Sequence, residues 1–427
     1  MRPPPSPALQ WVSRDARLII LARGIRTFAQ SFIAVLLALY LKELGFSLFQ
    51  IGAFLSVGVA GVAFFAFVVG LIAQRVGRRR LLVTFSLTSA AAGLALFFMD
   101  HFLVLAVIAF LGSLSTGGGG GGESPAQPLE VASLPDTAPD AKRTELFALY
   151  GMVARGGTAL GALAAGLPAL YQDTFGLSTL LSYQVMFLGF AAFQLTGALL
   201  YSLLSPTVEG GALRRQWSNP LRLPSRRRIF TLCGLFSVDT FTTSMVMQSL
   251  MAYWFHTRFG LELGSLAQVF FLSHVLTLTS LWLAAKISNR IGLLNTMVFT
   301  HIPSSFFLIA AAFAPTTGLA VVFWQLRAFL SQMDVPTRES YTMAIVAPEE
   351  RVSMASLRLV GTSAGGSVGP SVTTALWNAF SASVPLVGSA VLKIGYDLSL
   401  YVMFRNVKPP EEVERTRERA GAERAAS

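Results

Sequence analysis

Cysteine occurs once in 427 residues, at Cys233, so no intrachain disulfide can staple the fold. Histidine occurs four times, with no Cys, His or carboxylate cluster at metal-ligand spacing, so neither a metal nor another cofactor is expected. Charge is scarce too: 13% of residues are charged against 53% hydrophobic, and mean hydropathy is +0.59. That leaves too few polar side chains to clothe a water-soluble surface, which places the chain in a lipid bilayer. Acids are the rarer sign, 22 against 33 basic residues. Such an excess would suit nucleic acid, but the bases fall in short gaps between apolar runs, where they set topology, so no nucleic-acid partner is expected. No nucleophile stands in a pattern with a base, so no enzyme is expected. The first apolar run contains Arg23 and Arg26 and lacks a small-residue cleavage site, so it is not read as a cleaved signal peptide.

What the chain does have is a repeat. Gly70-Leu-Ile-Ala-Gln-Arg-Val-Gly-Arg-Arg-Arg wedges a basic turn between two apolar runs, and its outline returns at Ala285-Lys-Ile-Ser-Asn-Arg-Ile-Gly-Leu-Leu. Arg75 and Gly77 correspond to Arg290 and Gly292 at an offset of 215 residues, which is also the separation of Gly45 from Gly260. Three landmarks at one offset mark two copies of one unit.

Windows of about 20 apolar residues predict spans near 18–41, 49–72, 81–99, 103–134, 144–170 and 179–204, then 229–255, 263–285, 294–314, 317–346, 353–380 and 384–404. That makes twelve, six per copy. Alternate gaps hold fifteen Lys and Arg, and the opposite gaps hold two, Lys42 and Arg258. The positive-inside rule then puts both termini on the cytoplasmic side. A first bundle is expected over 1–204 and a second over 229–404. Between them lies a basic cytoplasmic linker, 205–228, with three prolines, two glycines and six arginines; a cytoplasmic tail follows over 405–427.

Ionisable groups at bilayer depth cost about 3 kcal/mol each on insertion scales, so each is a hypothesis for function. Arg327, Asp334, Arg338 and Tyr341 are spaced 7, 4 and 3 apart, one face of a continuous helix. Glu123, Gln127 and Glu130 repeat the pattern in the fourth span, and with Pro139 set on Pro348, Glu130 falls on Glu339. Glu123 has no base within a turn. A lone carboxyl at that depth is cheapest as the neutral acid, which makes it the first candidate for taking up and releasing a proton, with Asp334 second. Asp334 and Arg338, four apart, could equally just neutralise each other. Arg23 and Arg26 on the first span either snorkel to the headgroups or are candidates for gating ion pairs, Arg23 with Glu130. In the repeat, Asp239 falls on Gly24, which sets an acid on span 7 near Arg338 and gives two pairs, Arg23 with Glu130 and Asp239 with Arg338, proposed to hold one state closed. Arg155 is a substrate contact or a partner for an acid. Lys393 and Asp397, four apart, read as a self-neutralised pair, and His274 and His301 as isolated polar residues.

Rows of glycine, Gly151, Gly157, Gly161 and Gly166 in span 5 and Gly361, Gly365 and Gly369 before Pro370 in span 11, read as close helix packing. The run Gly117 to Gly122 has no following Lys-Ser/Thr and is no phosphate loop. With Pro125 and Pro128 beyond it, this stretch can bend at bilayer depth.

The turn at 70–82 resembles the signature loop between helices 2 and 3 of the major facilitator superfamily of secondary transporters, matching it at Gly70, Arg75, Gly77, Arg78 and Arg79. The family's aspartate is Gln74 here and Asn289 in the second copy, so the charge relay attributed to that loop is in question. The resemblance implies an all-α membrane protein of twelve transmembrane helices in two pseudo-symmetric six-helix bundles, with helices 1, 4, 7 and 10 around a central cavity. Segments ending Pro139-Asp-Ala-Lys-Arg and Pro348-Glu-Glu-Arg resemble bacterial efflux-type members and imply an inner membrane. The expected function is secondary active transport of a small organic solute by a monomer that rocks about a midplane site, proton-coupled and directed outward. An organic-anion substrate and a non-transporting sensor or scaffold are the alternatives.

Overall fold

The computed structural model describes residues 12–114, 124–137, 143–209, 225–344 and 351–407, and among these every regular element is helical. Spans 1, 2, 3 and 6 are single helices: α1 (Arg14–Glu43), α2 (Leu48–Val76), α3 (Arg78–Phe98) and α8 (Thr179–Ser202). Span 4 is α4 (Phe102–Leu111) and α5 (Ala126–Ser133), and span 5 is α6 (Arg143–Ala164) and α7 (Leu167–Phe175). In the second copy, span 7 is α9 (Arg226–Met245) and α10 (Gln248–Phe259), and span 10 is α13 (Thr317–Leu330) and α14 (Asp334–Ala344). The remaining spans are α11 (Leu263–Ile291), α12 (Leu293–Ala312), α15 (Arg351–Ala379) and α16 (Val384–Phe404). Among the described residues, nine of the twelve are long and apolar enough to cross a membrane by length and composition alone. The other three are spans 4 and 10, each built from two short helices, and the Gly- and Ser-rich span 11.

Helix starts follow the residues. Ser13 caps α1 by accepting from Ala16 N, and Ser47 with Gln50 forms a capping box at α2. Between α2 and α3 the chain must reverse within one residue, and Gly77 does this at φ 96°; Gly292 does the same between α11 and α12 at φ 90°. Both values lie where a Cβ would clash, so the paired glycines of the repeat are a backbone requirement.

The chain forms two compact units. Unit 1 comprises 1–215 with 243–274 and 366–382; unit 2 comprises 216–242, 275–365 and 383–427. The packing therefore does not divide the chain at its midpoint. Within unit 1, pieces from the second copy are bonded to the first: Ser249 Oγ donates to the Ala34 carbonyl at 2.6 Å, and Ser371 Oγ lies 2.8 Å from Ser56 Oγ. Large apolar side chains cover the outside, Phe98 at 72% and Phe380 at 73% exposure among them, a surface whose natural solvent is lipid.

The glycine rows pack helices. A Cβ on Gly161 would strike the Phe28 carbonyl of α1 within unit 1, and one on Gly365 the Ser237 carbonyl of α9 within unit 2. Span 5 thus lies on span 1 as span 11 lies on span 7, the close backbone approach that small residues allow in lipid.

Candidate functional site

Buried ionisable side chains gather in two clusters, one in each unit. In unit 1 the centre is Glu130 on α5, fully buried. Its Oε2 accepts from Arg26 Nη2 at 2.6 Å and from the Tyr150 hydroxyl at 2.6 Å, and its Oε1 accepts from the Tyr201 hydroxyl. Arg23 Nη1 stands 3.9 Å from the same carboxylate, with its guanidinium over the Tyr150 ring. The cage draws on spans 1, 4, 5 and 6. Tyr150 and Tyr201 also belong to the apolar core of this unit with Ile19, Leu82 and Leu129, so the rings are held by packing before their hydroxyls are aimed.

In unit 2 the cluster is a chain of contacts. Asp397 Oδ1 on α16 lies 3.2 Å from Nδ1 of His301 on α12, whose Nε2 lies 3.0 Å from Oδ1 of Asp334. Asp334 Oδ2 is 3.2 Å from Nη1 of Arg338, and that nitrogen donates to Asp239 Oδ2 on α9 at 2.6 Å. Asp239 Oδ1 accepts from Lys393 Nζ, again at 2.6 Å and back on α16. Spans 7, 9, 10 and 12 are tied together, and all three aspartates are at most 4% exposed. Asp334 is the first residue of α14, where the helix dipole favours an anion.

These contacts revise several sequence expectations. Arg26 as well as Arg23 reaches Glu130, and Arg338 reaches Asp239, so the expected partners meet. Each pair lies inside one unit and ties helices together within that unit. The face expected from Arg327 to Tyr341 does not exist, because α13 ends at Leu330 and a turn over 331–333 resets the register before α14. Arg327 stacks on Trp324 at 4.7 Å instead, and Tyr341 is fully buried with its hydroxyl 2.9 Å from the Val407 carbonyl. Lys393 and Asp397 do not form the self-contained pair expected: one turns to Asp239, the other to His301. His301 is no isolated polar residue but the link between two carboxylates. It also shares a buried polar face with Thr300, Ser304 and Ser305, the sequence signal that could have found it.

Glu123 lies outside the described residues, as do the glycine run before it and the side chains of Gly70, Gln74, Asn289 and Glu339. Gln127 is half-buried on α5 and Arg155 half-buried on α6. In the basic turn, Arg78 donates to the Ala132 carbonyl at 3.1 Å and the Val208 carbonyl at 3.3 Å, and Arg79 to the Ser202 carbonyl. These are carbonyls at or just beyond helix C-termini, where a cation is stabilising. Arg75 and Arg290 are exposed.

A family model for the Major Facilitator Superfamily matches residues 19–333. The chain belongs to that superfamily. It is a secondary transporter, not an enzyme, and an integral membrane protein. Among curated proteins it resembles the uncharacterized membrane protein YJR124C of Saccharomyces cerevisiae, at 24% identity over 92% of this chain and 95% of that protein. Among solved structures it resembles the nucleoside transporter NupG, at a TM-score of 0.72 and 13% identity over 91% of this chain and 99% of that one. It also resembles a D-xylose-proton symporter, at a TM-score of 0.71 and 13% identity over 91% and 96%. At these identities the two structures speak for the superfamily fold, twelve spans in two pseudo-symmetric bundles. The match to the yeast protein covers nearly the whole of both chains, so the likeness is not confined to bacterial proteins.

Proposed function

We propose that the protein moves a small organic solute by alternating access, driven by protons through the buried network of unit 2, with Asp334 at its centre and export as the direction. One observation carries the reading: six ionisable side chains from four spans sit together beside the break in span 10, the three aspartates and His301 buried and Arg338 and Lys393 at 20% and 12% side-chain exposure. Burying that many charges gains little stability over well-packed apolar residues, so their retention calls for work that apolar side chains cannot do. Proton traffic is such work. The break at 331–333 matters as well, because two short helices joined by a turn can change angle where one long helix cannot. A D-xylose-proton symporter among the structural relatives supports the same coupling. Glu123 keeps its place as a second carboxyl for the proton path, on the sequence argument. The lopsided loop charges support cytoplasmic termini, and a basic linker between two six-span copies supports the division at 205–228. The chain acts as a monomer in this reading.

A second reading concerns the solute's charge. Unit 1 brings two guanidiniums to one carboxylate, and Arg26 Nε and Nη1, both buried, have no hydrogen-bond partner among the described residues. An organic anion would satisfy them, and in this reading the same proton coupling drives its movement.

The test is a thermal-shift screen of the purified protein against cationic, neutral and anionic solutes, followed by reconstitution of the hits into liposomes carrying a pH-sensitive dye. Solute-dependent proton flux is the expected result. Solute movement with no proton flux would remove the coupling, and no movement of any hit would favour a sensor or scaffold.

A further inference from the structure

We infer that the imidazole of His301, clamped between Asp334 and Asp397, is where the coupled proton rests. The inference rests on the proton-coupled reading above and names the group within the network that binds and releases the proton.

Hydrogen-bond chemistry comes first. Both ring nitrogens lie against a carboxylate oxygen: Nδ1 is hydrogen-bonded to Asp397 at 3.2 Å, and Nε2 is in ionic contact with Asp334 at 3.0 Å, short of hydrogen-bond alignment. A neutral imidazole has one N–H, so its other nitrogen would set a lone pair beside an oxygen lone pair about 3 Å away, out of water. Only the imidazolium has a proton for each side. The geometry therefore calls for one proton more than a neutral histidine between two ionised aspartates can supply.

Charge order makes the same demand. Followed contact by contact, the network reads Asp397, His301, Asp334, Arg338, Asp239, Lys393. With His301 protonated the signs alternate along the whole chain and sum to zero. With His301 neutral, two carboxylates flank an uncharged ring and the buried cluster carries a net negative charge, which a low-dielectric interior penalises. Among the described residues, the ring meets Asp334 of α14 and Asp397 of α16, with Lys393 of α16 and Asp239 of α9 nearby and Arg338 and Tyr396 next to those acids. Arg327 of α13, the other helix packed on α12, is engaged with Trp324.

Release follows from the same geometry. When the N–H bond of the imidazolium breaks, the proton passes to water on the side then open, the electron pair stays on nitrogen, and one aspartate loses its donor. Asp334 is the first residue after the 331–333 turn, where the chain is held by short bonds such as Ser331 N to the Arg327 carbonyl at 2.8 Å. The proton on His301 thus fastens α14 to α12, and its departure frees the joint of span 10. The carboxylates of Asp239 and Asp334 also touch bases, but those bases are arginine and lysine, which hold their protons far more tightly than an imidazole does. His301 is the one weak base in the chain of contacts, and it stands between two acids.

Nitrogen-15 NMR of the substrate-free protein in lipid, with histidine labelled, reads this directly. The probe is the proton itself. Four histidines make four ring systems, and His301→Gln assigns the one in question. Near neutral pH the expected pattern for His301 is the imidazolium, with both ring nitrogens protonated. Asp397→Asn, which replaces one carboxylate by an amide able to donate to Nδ1, is expected to return the ring to the neutral single-proton pattern and provides a second assignment if the glutamine variant does not fold. A neutral His301 in the wild type, or an imidazolium indifferent to Asp397→Asn, would overturn the inference. Solute-driven proton flux undiminished in His301→Gln would likewise remove His301 while leaving the transporter reading intact.

Discussion

In unit 1 a single carboxylate is surrounded by donors; in unit 2 three carboxylates share two bases and a histidine. The elements are related by the repeat, with spans 1, 4 and 6 answering to 7, 10 and 12, but the signs are exchanged. The acid sits on span 4 in the first copy, while in the second spans 7, 10 and 12 each carry one. Glu130 accepts from Arg26, Tyr150 and Tyr201 at once, so a proton added to it would displace one of these three donors. That cage is a fixture. The unit 2 chain balances only when an exchangeable proton is present, which makes it the part able to change state. In the proposed reading, a duplicated scaffold keeps one buried polar centre as an anchor and uses the other as a switch.

The comparison breaks most visibly at Glu130. Glu130→Gln leaves Arg26 buried without its counter-charge, and such losses cost about 3–5 kcal/mol. A marked drop in the thermal unfolding temperature of the detergent-purified protein is expected, with any residual transport keeping its wild-type pH dependence. Wild-type stability would show that the cage is no anchor.

Next come the helix contacts that the two copies share. Gly161→Val and Gly365→Val each drive a side chain into a carbonyl of the facing helix, and overpacking of this kind costs about 1–3 kcal/mol. Similar destabilisation by both is expected in the same unfolding assay, because the packing is common to the copies even where the polar centres are not. A large effect in one and none in the other would confine the likeness to sequence. The smallest effect is expected from Arg327→Gln, which forfeits a cation-π contact worth about 0.5–1 kcal/mol and touches neither cluster. Proton-driven transport should be unchanged, and its loss would restore Arg327 to a cavity role.

Much of this was legible in the residues. The twelve spans follow from apolar run length, and aligning the copies, on Gly77 with Gly292 and on Pro139 with Pro348, set Asp239 near Arg338 and Arg23 near Glu130. The broken register of span 10 was hidden from a periodicity argument, although Pro336 carried the warning: it has no N–H to offer the Gln332 carbonyl. Partner choice was hidden more deeply. Lys393 and Asp397 are one turn apart and invite pairing, yet each finds a partner more than 90 residues away along the chain, Asp239 and His301. Spacing along one helix says which side chains share a face, and only the packing of four helices says what that face meets.

The most direct test of the account compares the wild type with Asp334→Asn in liposomes, using a solute identified by the thermal-shift screen and two assays on each protein: exchange of labelled against unlabelled solute, and accumulation driven by an imposed pH gradient. The account predicts that Asp334→Asn keeps exchange while losing gradient-driven accumulation. Gradient-driven accumulation at the wild-type level in that variant would contradict it.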